Sequence, residues 1–235
     1  NSKNLQNFHF ASGWEVCSNA IISKEKKDGN HINKTAVLPA SLAMLKNWII
    51  ILITCFTAAT ASGQNRKQAL FIGNSYITSN NLPALTARVA LSAGDTLIYD
   101  LHAPGGYTLQ GHSQHPNTLS KISAGNWDAV VLQEQSQRPS FPDPTVEANV
   151  YPYARILDSL VGISNTCAET IFYQTWGRKN GDATNCSTAW PYVCSYEGMD
   201  SLLLLRYQTM ANQNEGLVCA VGAVWHRIRE LYPAI

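Results

Sequence analysis

The sequence predicts an α/β protein, a three-layer α/β/α sandwich built around a parallel five-stranded sheet. Two observations lead to this fold class. Short apolar runs typical of buried strands alternate along the chain with segments of helical spacing. Strands that are separated by helices form right-handed crossovers, which produce a parallel sheet with helices on both faces. We predict that one such domain spans residues 64–235 of the 235-residue chain.

The predicted elements follow one another regularly from residue 68 onward. Strands are predicted at 68–72, 96–101, 128–132, 169–174 and 217–221. Helices are predicted at 82–93, 142–160, 195–212 and 223–231, and a glycine-bearing loop at 103–108 follows the second strand. No internal repeat or low-complexity tract interrupts this series, so we expect no second domain.

The charge of the chain excludes one class of partner. Charged residues make up 14% of the sequence, below the usual share of about 25%, and the net charge is +1 with no long basic run. Binding to nucleic acid depends on clustered positive charge. We therefore expect no nucleic-acid partner.

The N-terminal quarter reads as two segments that precede the domain. Residues 1–43 are polar and without periodicity, and we expect an unstructured upstream segment. Residues 44–63 combine a basic residue, about a dozen apolar residues and a small-residue end, which is typical of a secretory signal peptide. The apolar run is shorter than the roughly 20 residues of a membrane span. We expect a secreted or periplasmic protein with no stable membrane span after cleavage, an uncleaved anchor being the alternative.

Export changes the interpretation of the cysteines. Of six cysteines, Cys167, Cys186, Cys194 and Cys219 follow the predicted signal peptide, an even number in an oxidising compartment. A Cys186–Cys194 disulfide would close a small loop and stabilise the protein by about 2–3 kcal/mol. A zinc site is disfavoured because the spacing is wrong and no His lies nearby. Cys167 and Cys219 could pair or remain buried free thiols, and the sequence leaves both open.

Ser75 is the candidate nucleophile. The turn Gly73-Asn74-Ser75 directly follows the first predicted strand, and open α/β sheets bind ligands at the carboxyl ends of their strands. A serine nucleophile needs a base and donors aimed at the developing oxyanion. Backbone N–H groups at the start of the next helix are one such donor set. The alternative is that Ser75 is only a helix N-cap.

Two further loops are expected at the same edge of the sheet. Gly105-Gly106-Tyr107-Thr108 follows the second strand, and Gln133-Glu134-Gln135-Ser136 follows the third. Because the carboxyl ends of parallel strands meet at one edge, a glycine N–H and a side-chain amide would converge on Ser75. The structural alternatives are a flexible glycine turn and a polar loop cap.

These motifs, in this order, resemble blocks I to III of the SGNH/GDSL hydrolase family. They are Ile-Gly-Asn-Ser-Tyr at 72–76, Gly-Tyr-Thr at 106–108 and Trp-Asp-Ala-Val-Val-Leu-Gln-Glu-Gln-Ser at 127–136. More narrowly, the chain resembles secreted bacterial members that carry GNSY and LQEQS. The resemblance covers about residues 68–235. It implies a flavodoxin-like sheet and a serine hydrolase of small-molecule or carbohydrate esters, acetyl or acyl esters among them, with no metal or organic cofactor.

The resemblance also assigns roles to residues. Ser75 would be the nucleophile, and the N–H groups of Ser75 and Gly106 would form the oxyanion hole. Gln135 stands where the family has an Asn, and would serve as the third donor. The predicted pocket residues are Asn74, Glu134, Trp176 and Arg178. For the segment that contains Trp176 and Arg178, a solvated turn is the structural alternative.

The general base of the family has no counterpart in this sequence. The family has a His preceded by an Asp three residues earlier, and this chain ends about where that block is expected. We therefore expect a C-terminal truncation and a chain without its base. His226 is interpreted as an ordinary helix histidine, while His102, His112 and His115 lack an obvious carboxylate partner. The alternative function is a non-catalytic extracytoplasmic protein that binds glycans in the same crevice.

Overall fold

One sheet of five parallel strands organises the chain. The structure is a computed structural model that describes residues 65–233. The strands are β1 (Arg66–Ile72), β2 (Thr96–His102), β3 (Ala129–Leu132), β4 (Glu169–Tyr173) and β5 (Leu217–Cys219). Their order across the sheet is β2-β1-β3-β4-β5, and every neighbouring pair is parallel. The predicted flavodoxin-like sheet is confirmed.

The predictions for 1–43 and 44–63 lie outside the described residues, and the domain limits 64–235 stay a prediction. Among the helices of residues 65–233, none has both the length and the apolar character that crossing a membrane requires.

Eight α-helices connect or follow the strands within residues 65–233. They are α1 (Ser75–Thr78), α2 (Leu82–Ser92), α3 (Leu109–His112), α4 (Pro116–Ser123), α5 (Asp143–Asn149), α6 (Tyr151–Ser164), α7 (Tyr196–Gln213) and α8 (Val221–Leu231). Short 3₁₀ turns occupy Ser79–Asn81, Arg138–Ser140 and Pro191–Cys194. The alternation of strands with helices follows the prediction closely.

Helices cover both faces of the sheet because successive strand residues point to opposite sides. On one face, Leu70 and Ile72 of β1 pack in a buried cluster with Leu157 of α6 and Tyr207 of α7. On the other face lies a second cluster, which combines Ala69, Phe71, Val131 and Tyr173 from the strands with Ile77, Leu82 and Val221 from helices α1, α2 and α8. The three-layer α/β/α sandwich is therefore confirmed.

The long helix predicted at 142–160 is wrong in one respect, because the structure has two helices there. α5 ends at Asn149, Val150 has non-helical dihedrals (φ −122°, ψ −64°), and α6 begins at Tyr151. Pro152 explains the break, since it has no N–H to donate to the carbonyl of Ala148, four residues earlier, and its ring clashes with that carbonyl in a continuous helix. Pro152 is instead well placed in the first turn of α6.

The region between β2 and β3 begins with the loop predicted at 103–108 and continues with two helices that were not predicted. It contains α3 and α4, whose first turns are capped by the side chains of Thr108 and His115. Pro116 occupies the first turn of α4. These helices have four and eight residues, too short for hydrophobic periodicity to reveal them.

The predicted Cys186–Cys194 disulfide is present, with Cα atoms 4.7 Å apart. Cys219 is a free and exposed cysteine, so a Cys167–Cys219 bridge and a buried thiol at 219 are both wrong. The reason is that Cys219 ends β5, a strand of three residues at the edge of the sheet.

Candidate active site

Ser75 lies at the carboxyl end of β1, on the exposed side of a tight turn. It is the first residue of α1, and the cap of that helix is Asn74, whose Oδ1 accepts the N–H of Tyr76 at 3.2 Å. Ser75 is therefore not the N-cap. Within residues 65–233, no side chain hydrogen-bonds the Ser75 hydroxyl, which leaves it available to a ligand.

The turn before Ser75 is held by contacts with two neighbouring strand ends. The N–H of Asn74 donates to Oε1 of Gln133 at 3.0 Å, and Gln133 directly follows β3. The Asn74 side-chain amide donates to the carbonyl oxygen of Tyr107 at 2.9 Å, in the loop after β2. Asn74 therefore ties the Gly73–Ser75 turn to both loops that were predicted to lie beside it.

Gly73 permits the close approach of Gln133. A Cβ atom at position 73 would lie 2.5 Å from Gln133 Oε1 and 2.8 Å from a side-chain carbon of Ile77. Real Cβ atoms do not come this close to atoms to which they are not bonded. Only glycine fits between β1 and the Gln133 side chain, which gives the glycine of the first motif a packing role.

Gly106 and Gln135 are two of the three predicted oxyanion donors, the third being the N–H of Ser75. Gly106 is exposed and has φ +72°, a conformation that favours glycine. The Gln135 side chain uses its oxygen to accept the N–H groups of Gln137 and Arg138 at 3.1 and 3.2 Å. Its Nε2 group makes no hydrogen bond within the described residues. The oxyanion roles of Gly106 and Gln135 stay predictions.

Glu134 is fully buried and supports the two loops from beneath. Both of its carboxylate oxygens lie 3.3 Å from the N–H of Leu109, and one accepts the N–H of Gln135 at 2.5 Å. Its own N–H donates to the Tyr207 hydroxyl at 3.2 Å. Burial raises the pKa of Glu134 to about 7, and the hydrogen bond from Gln135 opposes that rise. The carboxyl group therefore joins the loops after β2 and β3 and does not line the open cleft beside Ser75.

That cleft lies beside Ser75 and has a volume of about 330 Å³. Trp176, a predicted pocket residue, forms one wall, and its ring packs against that of Tyr76 with centroids 5.0 Å apart. The full lining is Ser75, Tyr76, Ser79, Asn80, Leu82, Leu85, Tyr173 and Trp176. Most of it is aromatic or aliphatic, with the serine hydroxyl at its margin.

Arg178, the other predicted pocket residue after β4, is engaged elsewhere. Its guanidinium forms an ion pair with the buried carboxylate of Asp182 at 2.9 Å and also hydrogen-bonds the side chain of Gln137. It does not line the cleft. Arg178 thus links the disulfide-bearing loop to the loop after β3.

No histidine of residues 65–233 hydrogen-bonds Ser75. His102 contacts Thr118, and His115 accepts the N–H of Asn117 as the cap of α4. His112 is completely buried, and burial lowers its pKa to about 4, so it is neutral at physiological pH.

His226 has a carboxylate partner that the sequence did not indicate. Its Nδ1 lies 3.1 Å from Oδ2 of Asp200, and Oδ1 of Asp200 accepts the N–H of Gly177 at 3.0 Å. Its other ring nitrogen faces Glu230 of the same helix at 3.6 Å. Both nitrogens of His226 are directed at carboxylates, and the histidine joins α8 to α7. Asp200 is 26 residues away, beyond any local motif.

Metal-binding geometry is not found in the described part of the chain, where no group of three or more His, Cys, Asp or Glu side chains is arranged to hold an ion.

This chain is similar to known proteins at the level of solved structures. No family model matches the sequence, and no curated protein sequence does so. A structure named as a GDSL-like lipase, from Parabacteroides merdae, matches with a TM-score of 0.49 at 11% identity, over 73% of this chain and 84% of the other.

Two esterases are also similar to this chain. Esterase EstA from Pseudoalteromonas matches with a TM-score of 0.44 at 10% identity, over 65% of this chain and 75% of the other. An acetyl xylan esterase matches with a TM-score of 0.42 at 12% identity, over 64% and 75% of the two chains. At such distances no residue role is carried over. By strand order and by the placement of its three motifs, the chain resembles the SGNH/GDSL hydrolases.

Proposed function

We propose that this protein is a serine hydrolase that cleaves an ester through an acyl-Ser75 intermediate. One observation carries the proposal: an exposed serine at the end of β1 borders a cleft, and Asn74 beside it bonds to both neighbouring loops. Gly106 and Gln135, the proposed oxyanion donors, lie in those loops. A fixed set of donors around a serine is the arrangement that stabilises the tetrahedral intermediate of acyl transfer.

In the proposed mechanism, the Ser75 hydroxyl attacks the carbonyl carbon of the ester while a base removes its proton. The oxyanion accepts hydrogen bonds from the N–H groups of Ser75 and Gly106 and from the Gln135 amide. The alcohol leaves with a proton, and water then attacks the acyl-serine to release the acid and regenerate Ser75. We propose that the base is not among the described residues, since none of the four histidines there hydrogen-bonds Ser75.

The size of the cleft supports a substrate whose acyl group is small and binds next to Ser75. Its volume of about 330 Å³ lies at the lower end of the range for small-molecule sites. The lining by Leu82, Leu85, Tyr173 and Trp176 favours an apolar group, and an ester on a carbohydrate would place its sugar outside this wall. Asn74 would act by holding the turn.

We propose a secreted or periplasmic location for the protein. The Cys186–Cys194 disulfide supports this location, because disulfides form and persist in oxidising compartments.

The second candidate is a non-catalytic protein that binds glycans in the same cleft. The pair formed by Tyr76 and Trp176 favours it, since partly exposed aromatic rings that line a cleft provide flat apolar surfaces for sugar rings. Calorimetric titration with oligosaccharides separates the two functions. Binding to the Ser75→Ala variant with no ester turnover by the unaltered protein would support this candidate against the hydrolase.

The test of the hydrolase is covalent labelling. The protein is treated with a fluorophosphonate and with p-nitrophenyl esters of increasing acyl length, as the chain alone and with any residues that its gene encodes after Ile235. We expect a single adduct on the peptide that contains Ser75, and none in Ser75→Ala. Equal labelling of Ser75→Ala, or no ester turnover by either form, would overturn the proposal.

A further inference from the structure

A buried histidine lies directly behind the nucleophile turn and has no part in the proposed chemistry. His112, the last residue of α3, is completely buried. Its Nε2 lies 2.7 Å from the carbonyl oxygen of Gly73, and its Nδ1 lies 2.9 Å from the hydroxyl of Thr118. A carbonyl oxygen only accepts hydrogen bonds, so Nε2 carries the proton and Nδ1 is the acceptor.

This tautomer gives a direction to a longer chain of hydrogen bonds. The Thr118 hydroxyl donates to Nδ1 of His112, so its oxygen accepts from the Nδ1–H of His102, which lies 2.7 Å away. The bonds then run from His102 through Thr118 and His112 to the carbonyl of Gly73. Hydrogen bonds in such chains polarise and strengthen one another in a low-dielectric interior.

The chain of bonds ends on the peptide group that precedes the nucleophile. The C=O of Gly73 and the N–H of Asn74 belong to the same planar unit. His112 donates to the C=O at 2.7 Å, while Gln133 accepts the N–H at 3.0 Å. Two buried side chains, from α3 and from the end of β3, thus fix both polar ends of this peptide group.

The orientation of that peptide group sets the position of Ser75. Asn74 has extended dihedrals (φ −144°, ψ −150°), and α1 begins immediately after it. A rotation of the Gly73–Asn74 plane would move the Ser75 hydroxyl and backbone N–H together. It would also break the alignment of Asn74 with Tyr107, to which its amide donates at 2.9 Å.

We infer that His112 is a positioning residue, which acts through the Gly73–Asn74 peptide group to hold Ser75 at the cleft. The inference rests on the proposed function of Ser75 for its catalytic meaning. The geometric part, a neutral histidine that fixes the peptide group, stands without activity.

Three variants of the full chain test this inference. His112→Phe keeps a ring and removes the donor, whereas His112→Gln places an amide N–H near the position of Nε2. His115→Asn is the matched control, because it alters a neighbouring histidine and keeps a residue suited to cap α4. Urea titration of each variant separates local effects from global unfolding.

The first readout is amide hydrogen exchange at Asn74, whose N–H donates to Gln133, followed by NMR. We expect exchange at least about tenfold faster in His112→Phe than in the unaltered protein, after allowance for global stability. In His112→Gln and His115→Asn it should stay within about threefold of the unaltered rate. Unchanged exchange in His112→Phe would overturn the inference, even for a protein without activity.

The second readout is the ¹⁵N spectrum of the imidazole of His112 in the unaltered protein, which decides the matter if His112→Phe does not fold. We expect a protonated Nε2 and an unprotonated Nδ1 at neutral pH. The opposite tautomer, or a doubly protonated ring, would overturn the inference.

The third readout is the rate of Ser75 labelling by the fluorophosphonate. We expect at least about a tenfold loss in His112→Phe with recovery in His112→Gln. No labelling in any variant would count against the proposed function and leave the exchange result to decide the role of His112. Equal labelling in all variants together with unchanged exchange would overturn the positioning role of His112 and leave the proposed function of Ser75 standing.

Discussion

Glu134 makes the stability of the folded protein depend on pH in a predictable direction. Its carboxyl group is buried behind the candidate site, where it accepts the N–H groups of Leu109 and Gln135. Burial raises its pKa from 4.5 to about 7. A pKa that is higher in the folded state means that folding favours the protonated form. The stabilisation is complete below about pH 4.5 and is lost as the pH rises through 7.

The size of this effect follows from the same values. An increase in the pKa from 4.5 to about 7, at 1.36 kcal/mol for each pKa unit, corresponds to about 3 kcal/mol at high pH. Between about pH 5 and pH 8.5, about 2.5 kcal/mol of this should develop. Glu134→Gln removes the titration and keeps the shape of the side chain.

The assay is urea unfolding of the full chain, followed by circular dichroism at both pH values. We expect the stability of the unaltered protein, relative to Glu134→Gln, to fall by about 2.5 kcal/mol between about pH 5 and pH 8.5. Glu147→Gln, in an exposed residue of α5, is the matched Glu-to-Gln control. A difference between the unaltered protein and Glu134→Gln that is constant within about 0.5 kcal/mol would refute the reasoning.

Three further predictions concern packing, the disulfide and the cleft. Gly73→Ala should destabilise the fold by about 1–3 kcal/mol because the new Cβ would meet Gln133. In the control Gly105→Ala, the new Cβ would have nothing within 4 Å, and the unfolding free energy should change by less than about 0.5 kcal/mol. Equal effects of the two substitutions would contradict the packing argument. Replacement of both Cys186 and Cys194 by Ser should lower the unfolding free energy, measured in urea, by about 2–3 kcal/mol. The control Cys219→Ser, which changes a free cysteine, should lower it little. An unchanged unfolding free energy in the double variant would show that the loop is held without its disulfide. Trp176→Ala should raise the KM for p-nitrophenyl butyrate at least about fivefold more than Tyr192→Ala does. Tyr192 is the control because it is an exposed aromatic residue outside the cleft. Equal KM values for the two variants would exclude Trp176 as a wall of the acyl site.

The strand pattern was predictable because the central strands are apolar and short. Ala69 to Ile72 and Val130 to Leu132 are buried on both faces of the sheet, so they stand out as continuous apolar runs. The break at Val150 was also visible in principle, since Pro152 cannot lie in the interior of a continuous helix but fits the first turn of a new one. The periodicity of residues 142–160 continues across the break and concealed it.

Much of the candidate site depends on contacts between distant residues. The position of Ser75 after a strand could be predicted from local sequence, and so could the loops that contain Gly106 and Gln135. The contact of His112 with Gly73 spans 39 residues, and that of Asn74 with Gln133 spans 59. No local pattern encodes such pairs, because they form only when β1, β3 and α3 pack together. The role of Asn74 as the cap of α1 is the exception, since Asn before a helix is a common capping residue.

The central claim is that Ser75 forms a covalent acyl intermediate, and rapid-quench mass spectrometry tests it most directly. The protein, with any residues encoded after Ile235, is mixed with p-nitrophenyl acetate and quenched in acid within milliseconds to seconds. We predict an added acetyl group on the peptide that contains Ser75, together with a burst of p-nitrophenol and no burst from Ser75→Ala. An acetyl group on any other residue, or turnover that persists in Ser75→Ala, would contradict the claim.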